Sequence, residues 1–134
     1  MKISSRRGFL GAMALVAPFA SLLKANAIFA QKKGMFIHHV YFWLKNTGSE
    51  EDKAKLIEGL KKLSKVNTIK KFYIGVPAAT NRDVIERSYS VSWLLFFDNP
   101  ADQDSYQTDP IHLKFVEECS MLWKKVVVYD SVDV

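Results

Sequence analysis

The chain contains very little cysteine: Cys119 is the only one among its 134 residues. One cysteine cannot form an intramolecular disulfide, so we expect a domain stabilised by its hydrophobic core and a partner subunit. The spacings C-x-x-C and H-x-x-E are also absent, and neighbouring His38 and His39 must point to opposite faces of a straight strand. The sequence therefore predicts neither a metal site nor a cofactor.

Clustered positive charge is lacking outside the first thirty residues. Those thirty residues hold four of the 19 lysines and arginines and no acid, which leaves 15 basic against 14 acidic residues. The remaining domain thus has a net charge near +1. Nucleic-acid binding needs clustered basic residues that displace counterions from phosphates, so we expect no nucleic-acid partner.

The first thirty residues have the pattern of an export signal. Arg6 and Arg7 precede an uncharged apolar run over residues 8–23, as in twin-arginine signals, and this run is too short for a confident membrane span. Small residues allow cleavage after Ala27 or after Ala30, while a general secretory signal or an uncleaved anchor stays open. We expect a domain over residues 31–134 that is periplasmic or secreted, with no membrane contact after cleavage.

The rest of the chain predicts seven elements in the order β-α-β-β-α-α-β. Alternating apolar residues indicate the strands, and helical spacing with cap residues indicates the helices. Strands are predicted over Met35–Leu44, Ile69–Val76, Ser88–Phe97 and Lys124–Val132, and helices over Ser49–Lys65, Asn99–Thr108 and Asp109–Leu122.

This order predicts the α+β class and a ferredoxin-like fold, in which helices cover one face of a four-stranded antiparallel sheet. The first strand is largely apolar on both faces. One helical layer covers only one face, so we expect a second copy of the chain to cover the other.

One stretch, Asp109-Pro110-Ile111-His112-Leu113-Lys114-Phe115, resembles a family motif close to H-P-x-H-x-x-F. The motif belongs to the stress-responsive A/B barrel (Dabb) family of the dimeric α+β barrel superfamily. Aspartate stands here in place of the first histidine. The resemblance extends from Met35 to the C-terminus and implies that two ferredoxin-like units pair as a dimeric α+β barrel.

The resemblance also implies site residues. In a plant polyketide cyclase of this family the motif histidine acts as a base together with a tyrosine six residues earlier, and these positions are His112 and Tyr106 here. His39 matches a first-strand histidine, and Trp123 matches a pocket-lining tryptophan. Ligand-binding residues are accordingly expected at His39, at Tyr41 and Trp43 on the same strand face, and at Trp123. A purely structural role for each histidine stays open, and the superfamily's haem proteins make haem a minor alternative.

Two functions follow almost equally from these residues. The first is binding of a small apolar molecule, aromatic or carbonyl-bearing, and the second is cofactor-independent acid–base catalysis with His112 as base and Tyr106 as hydrogen-bond donor. A structural dimer without a ligand is a third, weaker hypothesis. We expect His112, Tyr106 and His39 to line one cavity. Should His112 and His39 lie on opposite sides of the sheet, the enzyme hypothesis fails and binding loses a polar anchor.

Overall fold

A four-stranded antiparallel sheet and three helices form the part of the chain described by the computed structural model, residues 34–134. The predicted export signal lies outside these residues. The α+β, ferredoxin-like prediction is confirmed, with the helices on one face of the sheet. The elements in chain order are β1 (Phe36–Leu44), α1 (Glu50–Leu63), β2 (Lys71–Gly75), β3 (Val91–Phe97), α2 (Pro100–Thr108), α3 (Pro110–Cys119), a 3₁₀ turn (Ser120–Leu122) and β4 (Trp123–Val132).

Strand β1 lies inside the sheet and pairs antiparallel with both of its neighbours. The strand order is β2-β3-β1-β4. Val40 on β1, for example, lies opposite Trp93 on β3 and Val128 on β4. Because residues directly opposite each other point to the same face, the alternation along β1 sorts the residues of three strands at once.

Even-numbered residues of β1 face the helices and form the core. Val40, Phe42 and Leu44 are buried there, whereas the odd-numbered side chains from Ile37 to Trp43 are only half-buried on the other face, which we call the open face. On β3 the residues opposite the buried ones are fully buried too. The rest of the core comes from α1 and from the second half of the chain, namely Leu56, Leu60, Leu63, Val66, Val91, Trp93, Leu95, Phe97, Tyr106, Phe115 and Cys119.

Each helix begins at a capping side chain that the sequence had indicated. Ser49 caps α1, Asn99 precedes Pro100 at α2, and Asp109 precedes Pro110 at α3. Each side-chain oxygen accepts a hydrogen bond from a backbone N–H two or three residues later, at 2.8 to 3.1 Å. These bonds satisfy donors that the first helical turn leaves free, and proline has no such donor to lose.

The element boundaries differ from the predicted ones at three places. Strand β3 begins at Val91 rather than Ser88, because Ser90 Oγ accepts from the amide of Leu44 at 3.1 Å where a ladder carbonyl would otherwise accept. Helix α3 ends at Cys119 and tightens into the 3₁₀ turn before β4. Strand β2 is shorter at both ends than predicted.

Helices α1 and α3 approach each other closely at Gly59. A Cβ atom placed on Gly59 would lie 2.6 Å from Cys119 Sγ and 3.3 Å from the ring of Phe115. All three residues are buried. The close approach therefore depends on a glycine in the middle of a helix, a position where glycine is otherwise unfavourable.

Replacing Gly59 with alanine should destabilise the protein by about 1–2 kcal/mol. Overpacking a tight core costs about 1–3 kcal/mol, and this exceeds the gain of about 0.5–1 kcal/mol from removing a helical glycine. Urea unfolding of wild type, Gly59→Ala, Cys119→Ala and the double variant measures the coupling between the two sites. The alanine should cost less once Sγ is gone. A Gly59→Ala protein as stable as wild type would show that the contact is easily relaxed.

Candidate functional site

A cavity of about 150 Å³ lies between the helix-facing side of the sheet and helices α2 and α3. Most of its wall is apolar and comes from core residues. Its polar and amphipathic lining residues are His38, Tyr106, Gln107, His112 and Trp123. A larger groove of about 610 Å³ runs between α1 and α3, but no histidine or tyrosine lines it. Proton-capable side chains thus meet in the smaller cavity.

Tyr106, at the end of α2, is buried between the two histidines of this cavity. Its ring centroid lies 4.7 Å from that of His112 and 5.8 Å from that of His38. The phenol oxygen accepts from Trp93 Nε1 at 3.2 Å, which leaves the phenol proton free to donate. Burial raises the pKa of Tyr106 well above its ordinary value of 10.0, and the Trp93 hydrogen bond opposes this only in part. Tyr106 is therefore a neutral donor at physiological pH.

His112 lies in the first turn of α3, just after the Asp109-Pro110 break. Its Nδ1 is 3.0 Å from the backbone oxygen of Gln107. A carbonyl oxygen can only accept, so Nδ1 carries the proton and Nε2 of the neutral ring keeps a lone pair. Burial lowers the pKa of His112 below 6.5 and nearby His38 adds to this, against opposing effects of the Gln107 bond and Asp109. At neutral pH His112 is thus an uncharged acceptor.

His38 is the second histidine of the cavity, and the sequence analysis had not assigned it a role. It is 5% exposed, and its Nδ1 lies 2.6 Å from Asp130 Oδ1. The two residues are directly opposite each other on β1 and β4. An ionised carboxylate only accepts hydrogen bonds, so Asp130 holds the ring in the tautomer with its proton on Nδ1. This leaves Nε2 of the neutral ring as an acceptor.

The expectation that His39 shares a cavity with His112 and Tyr106 is wrong. His39 lies on the open face, where its Nδ1 is 3.2 Å from the hydroxyl of Tyr41. Tyr41 and Trp43 follow the same alternation and also point away from the helices, so they do not line this cavity. Trp123 does line it, with its ring packed against Phe42 and Phe115.

The physical reason is the two-residue period of β1, which gives adjacent histidines opposite faces. The composition of the strand contains a usable signal. Val40, Phe42 and Leu44 have purely hydrocarbon side chains, as a core face requires, whereas Tyr41 and Trp43 carry polar tips. Weighing the two faces in this way would have selected His38.

The cavity combines one neutral donor with two imidazole acceptors inside an apolar wall. Such a set suits a small molecule that carries a carbonyl or hydroxyl group on an apolar frame. Within residues 34–134 no three His, Cys, Asp or Glu side chains are grouped so that they could hold a metal ion. In the same residues no helix is long and apolar enough to cross a membrane.

Sheet order, helix placement and cavity together define a ferredoxin-like α+β protein. Solved structures of this class include a dimeric ferredoxin-like protein of unknown function from Bacteroides fragilis (22% identity, TM-score 0.59, 77% of this chain and 100% of that one). A Dabb family protein from Mesorhizobium loti is similar as well (22%, TM-score 0.63, 76% and 99%). So is the hydroxynitrile lyase of Passiflora edulis (19%, TM-score 0.62, 75% and 94%).

The sequence profile of the Stress responsive A/B Barrel Domain matches residues 36–133. The chain therefore belongs to the stress-responsive A/B barrel, or Dabb, family, as the motif around His112 had indicated. No curated protein gives a match.

Lowered histidine pKa values predict that stability falls as the pH falls below about 6.5. The pKa values of His112 and His39 are both lowered in the folded chain from 6.5, so below that pH the unfolded chain binds more protons than the folded one. The free energy of unfolding should therefore be constant above about pH 7.5 and decrease toward the folded pKa values.

Urea unfolding at pH 7.5, 6.5 and 5.5 tests this dependence. The decrease should be smaller in His112→Gln, smaller in His39→Gln, and smallest in the double variant. A His112→Gln curve parallel to that of wild type would mean that His112 does not contribute to the pH dependence.

Proposed function

We propose that the protein binds a small apolar molecule, aromatic or carbonyl-bearing, in the cavity formed by His38, Tyr106 and His112. The observation that carries this proposal is the buried phenol of Tyr106, with an imidazole ring on either side, in an otherwise apolar cavity. Buried polar groups in such a wall are costly unless something satisfies them. A ligand with one polar group would do so.

The volume limits the size of the ligand. A cavity of about 150 Å³ corresponds to roughly one benzene ring, since an engineered apolar cavity of that size binds benzene. A dimer with a completely filled core, the third hypothesis, would leave no such space. We therefore place ligand binding ahead of a purely structural role.

Complementary hydrogen bonds would orient the ligand. The Tyr106 hydroxyl can donate to a carbonyl oxygen, and the unbonded nitrogens of His38 and His112 can accept from a hydroxyl group. Trp123 and Val128 would cover the apolar frame. Removing one such buried hydrogen bond costs about 1–3 kcal/mol, or about ten- to a hundredfold in affinity.

Acid–base catalysis is the second candidate, and the state of His112 favours it. Its displacement from His39 removes the original argument for an enzyme, but His38, oriented by Asp130, stands in the same cavity. Nε2 of neutral His112 could take a proton from the carbon beside a carbonyl group, while the Tyr106 hydroxyl donates to the enolate oxygen. The imidazolium would then return the proton. The hydroxynitrile lyase of similar fold is an enzyme, which is compatible with catalysis on this scaffold.

4-Fluoroacetophenone, a one-ring ketone with exchangeable protons beside its carbonyl, tests both candidates. Fluorine NMR reports its binding, and proton NMR in deuterium oxide reports exchange at the methyl group. If the site is catalytic, His112→Ala should slow exchange by about 10²-fold or more, the scale of a lost general base. Tyr106→Phe should cost less, because only one hydrogen bond disappears.

His39→Gln is the matched control, because it changes a histidine on the opposite face of the same strand. It should alter neither binding nor exchange. Tyr106→Phe also leaves the buried Trp93 N–H without its acceptor, so unfolding of each variant is measured in parallel. Binding without exchange above buffer would leave the binding function alone. Absence of binding by one-ring ketones, aldehydes and phenols would refute the proposal.

We further propose that two copies pair through their open faces. Ile37, Tyr41, Trp43, Leu94 and Phe96 remain only half-buried there, and no helix of the described residues covers them. An apolar sheet face of this kind requires a cover. The titles of similar structures describe dimers, which supports pairing here.

Leu94→Asp tests the dimer, because Leu94 lies in the middle of the open face, between His39 and Tyr73. Wild type should sediment as a dimer at micromolar concentration. Leu94→Asp should abolish the dimer and with it much of the folded circular-dichroism signal, since obligate interfaces of over about 2,000 Å² often leave no stable monomer. Leu113→Asp, at a position 56% exposed on α3, is the control and should remain dimeric. A folded wild-type monomer would contradict the proposal.

We also propose that residues 1–30 direct export to the periplasm or beyond through the twin-arginine route. The support is the Arg6-Arg7 pair ahead of an apolar, acid-free segment. Changing both arginines to lysine should leave the protein in the cytoplasm, as measured by cell fractionation. Unchanged secretion of the double lysine variant would instead indicate a general secretory signal.

A further inference from the structure

A second cavity, of about 230 Å³, lies on the open face of the sheet, away from His112. Its wall is almost entirely aromatic. Tyr41 and Trp43 come from β1, Tyr129 comes from β4, and Tyr89 and Glu86 come from the segment that precedes β3. We call this set the aromatic box.

The rings of the aromatic box stand at steep angles to one another, as the walls of a box do. Tyr41 and Tyr89 have centroids 4.9 Å apart at 71°, Tyr41 and Tyr129 are 6.0 Å apart at 80°, and Trp43 and Tyr89 are 6.5 Å apart at 80°. Trp43 Nε1 donates to Ser88 Oγ at 2.9 Å, which fixes the indole. The space between the walls therefore has a defined shape.

A cation already lies on one of these rings. The ammonium group of Lys125 is 4.6 Å from the ring centroid of Trp43. The electron-rich faces of tryptophan and tyrosine attract such charges, and removal of water from them strengthens the attraction. Lys125 is exposed on β4, so its long side chain can move away from the ring.

The one acid of the box is held in its charged form. Glu86 Oε1 accepts from the amide of Ser88 at 2.7 Å. Hydrogen bonds from Ser88 lower the pKa of Glu86, and Lys125 adds to this after burial has opposed it slightly. Burial raises the pKa of Tyr41, with Tyr89 and Tyr129 contributing, so that phenol stays neutral. The box thus presents a carboxylate and neutral rings.

We propose that the aromatic box binds a small organic cation of the quaternary or alkylated ammonium class. The cation takes the place of the Lys125 ammonium over Trp43, with the three tyrosine rings around its alkyl groups and the Glu86 carboxylate as counter-charge. The volume suits this class, since it exceeds the roughly 150 Å³ that holds a benzene ring. The site is independent of the His112 cavity, because the two lie on opposite faces of the sheet.

Calorimetric titration of the full domain with choline tests the proposal, with 3,3-dimethyl-1-butanol as its uncharged counterpart of the same shape. Choline should bind and the alcohol should bind about tenfold more weakly, the scale of a partly desolvated cation–π contact. Tyr89→Leu and Glu86→Gln should weaken choline binding. Lys125→Met removes the competing cation and should tighten choline binding about two- to fivefold.

Tyr73→Leu is the control, because Tyr73 is an exposed tyrosine of the same sheet face that does not line the box. It should leave choline binding unchanged, and sedimentation of every variant checks that the oligomeric state is constant. Equal affinity for choline and the alcohol would overturn the proposal. So would the absence of choline binding by both wild type and Lys125→Met, which would mean that another copy of the chain fills the box.

Discussion

The alternation of side chains along β1 is the constraint on which the rest of the structure depends. This strand pairs on both sides, so its even-numbered residues fix what faces the helices on β3 and β4 as well. A shift of one residue would bring Tyr41 and Trp43 into the core and expose Phe42. The same alternation separates His38 from His39 and so assigns one histidine to each face. Both candidate sites follow from this one choice.

The fold and half of the cavity could be predicted from local sequence. Asp109-Pro110 ends one helix and begins the next, and this break brings Tyr106 and His112 together across a few residues. Caps and proline act through neighbouring backbone groups, so a single sequence shows them directly. The family match over residues 36–133 rests on the same segment and on its surroundings.

The other half of the cavity depends on contacts between distant residues. Asp130 meets His38 across 92 positions, and only the antiparallel register of β1 and β4 places them opposite each other. The sequence shows that both faces of β1 are apolar but does not state which one the helices cover. His39 was selected instead of His38 because a motif position was weighed more heavily than the hydrocarbon character of Val40, Phe42 and Leu44. The β3 boundary has a similar cause, since Ser90 replaces a backbone acceptor.

The open face has its own argument for being covered. His39 Nε2 is buried and has no hydrogen-bond partner among the described residues, although the same ring uses Nδ1 with Tyr41. An unsatisfied buried polar atom costs about 1–3 kcal/mol, and burial also lowers the pKa of His39, so the ring does not compensate by taking a charge. A second copy of the chain would bring its own polar groups to this face, among them the hydroxyls of Tyr41 and Tyr129. Pairing would then relieve an electrostatic cost as well as remove apolar surface from water.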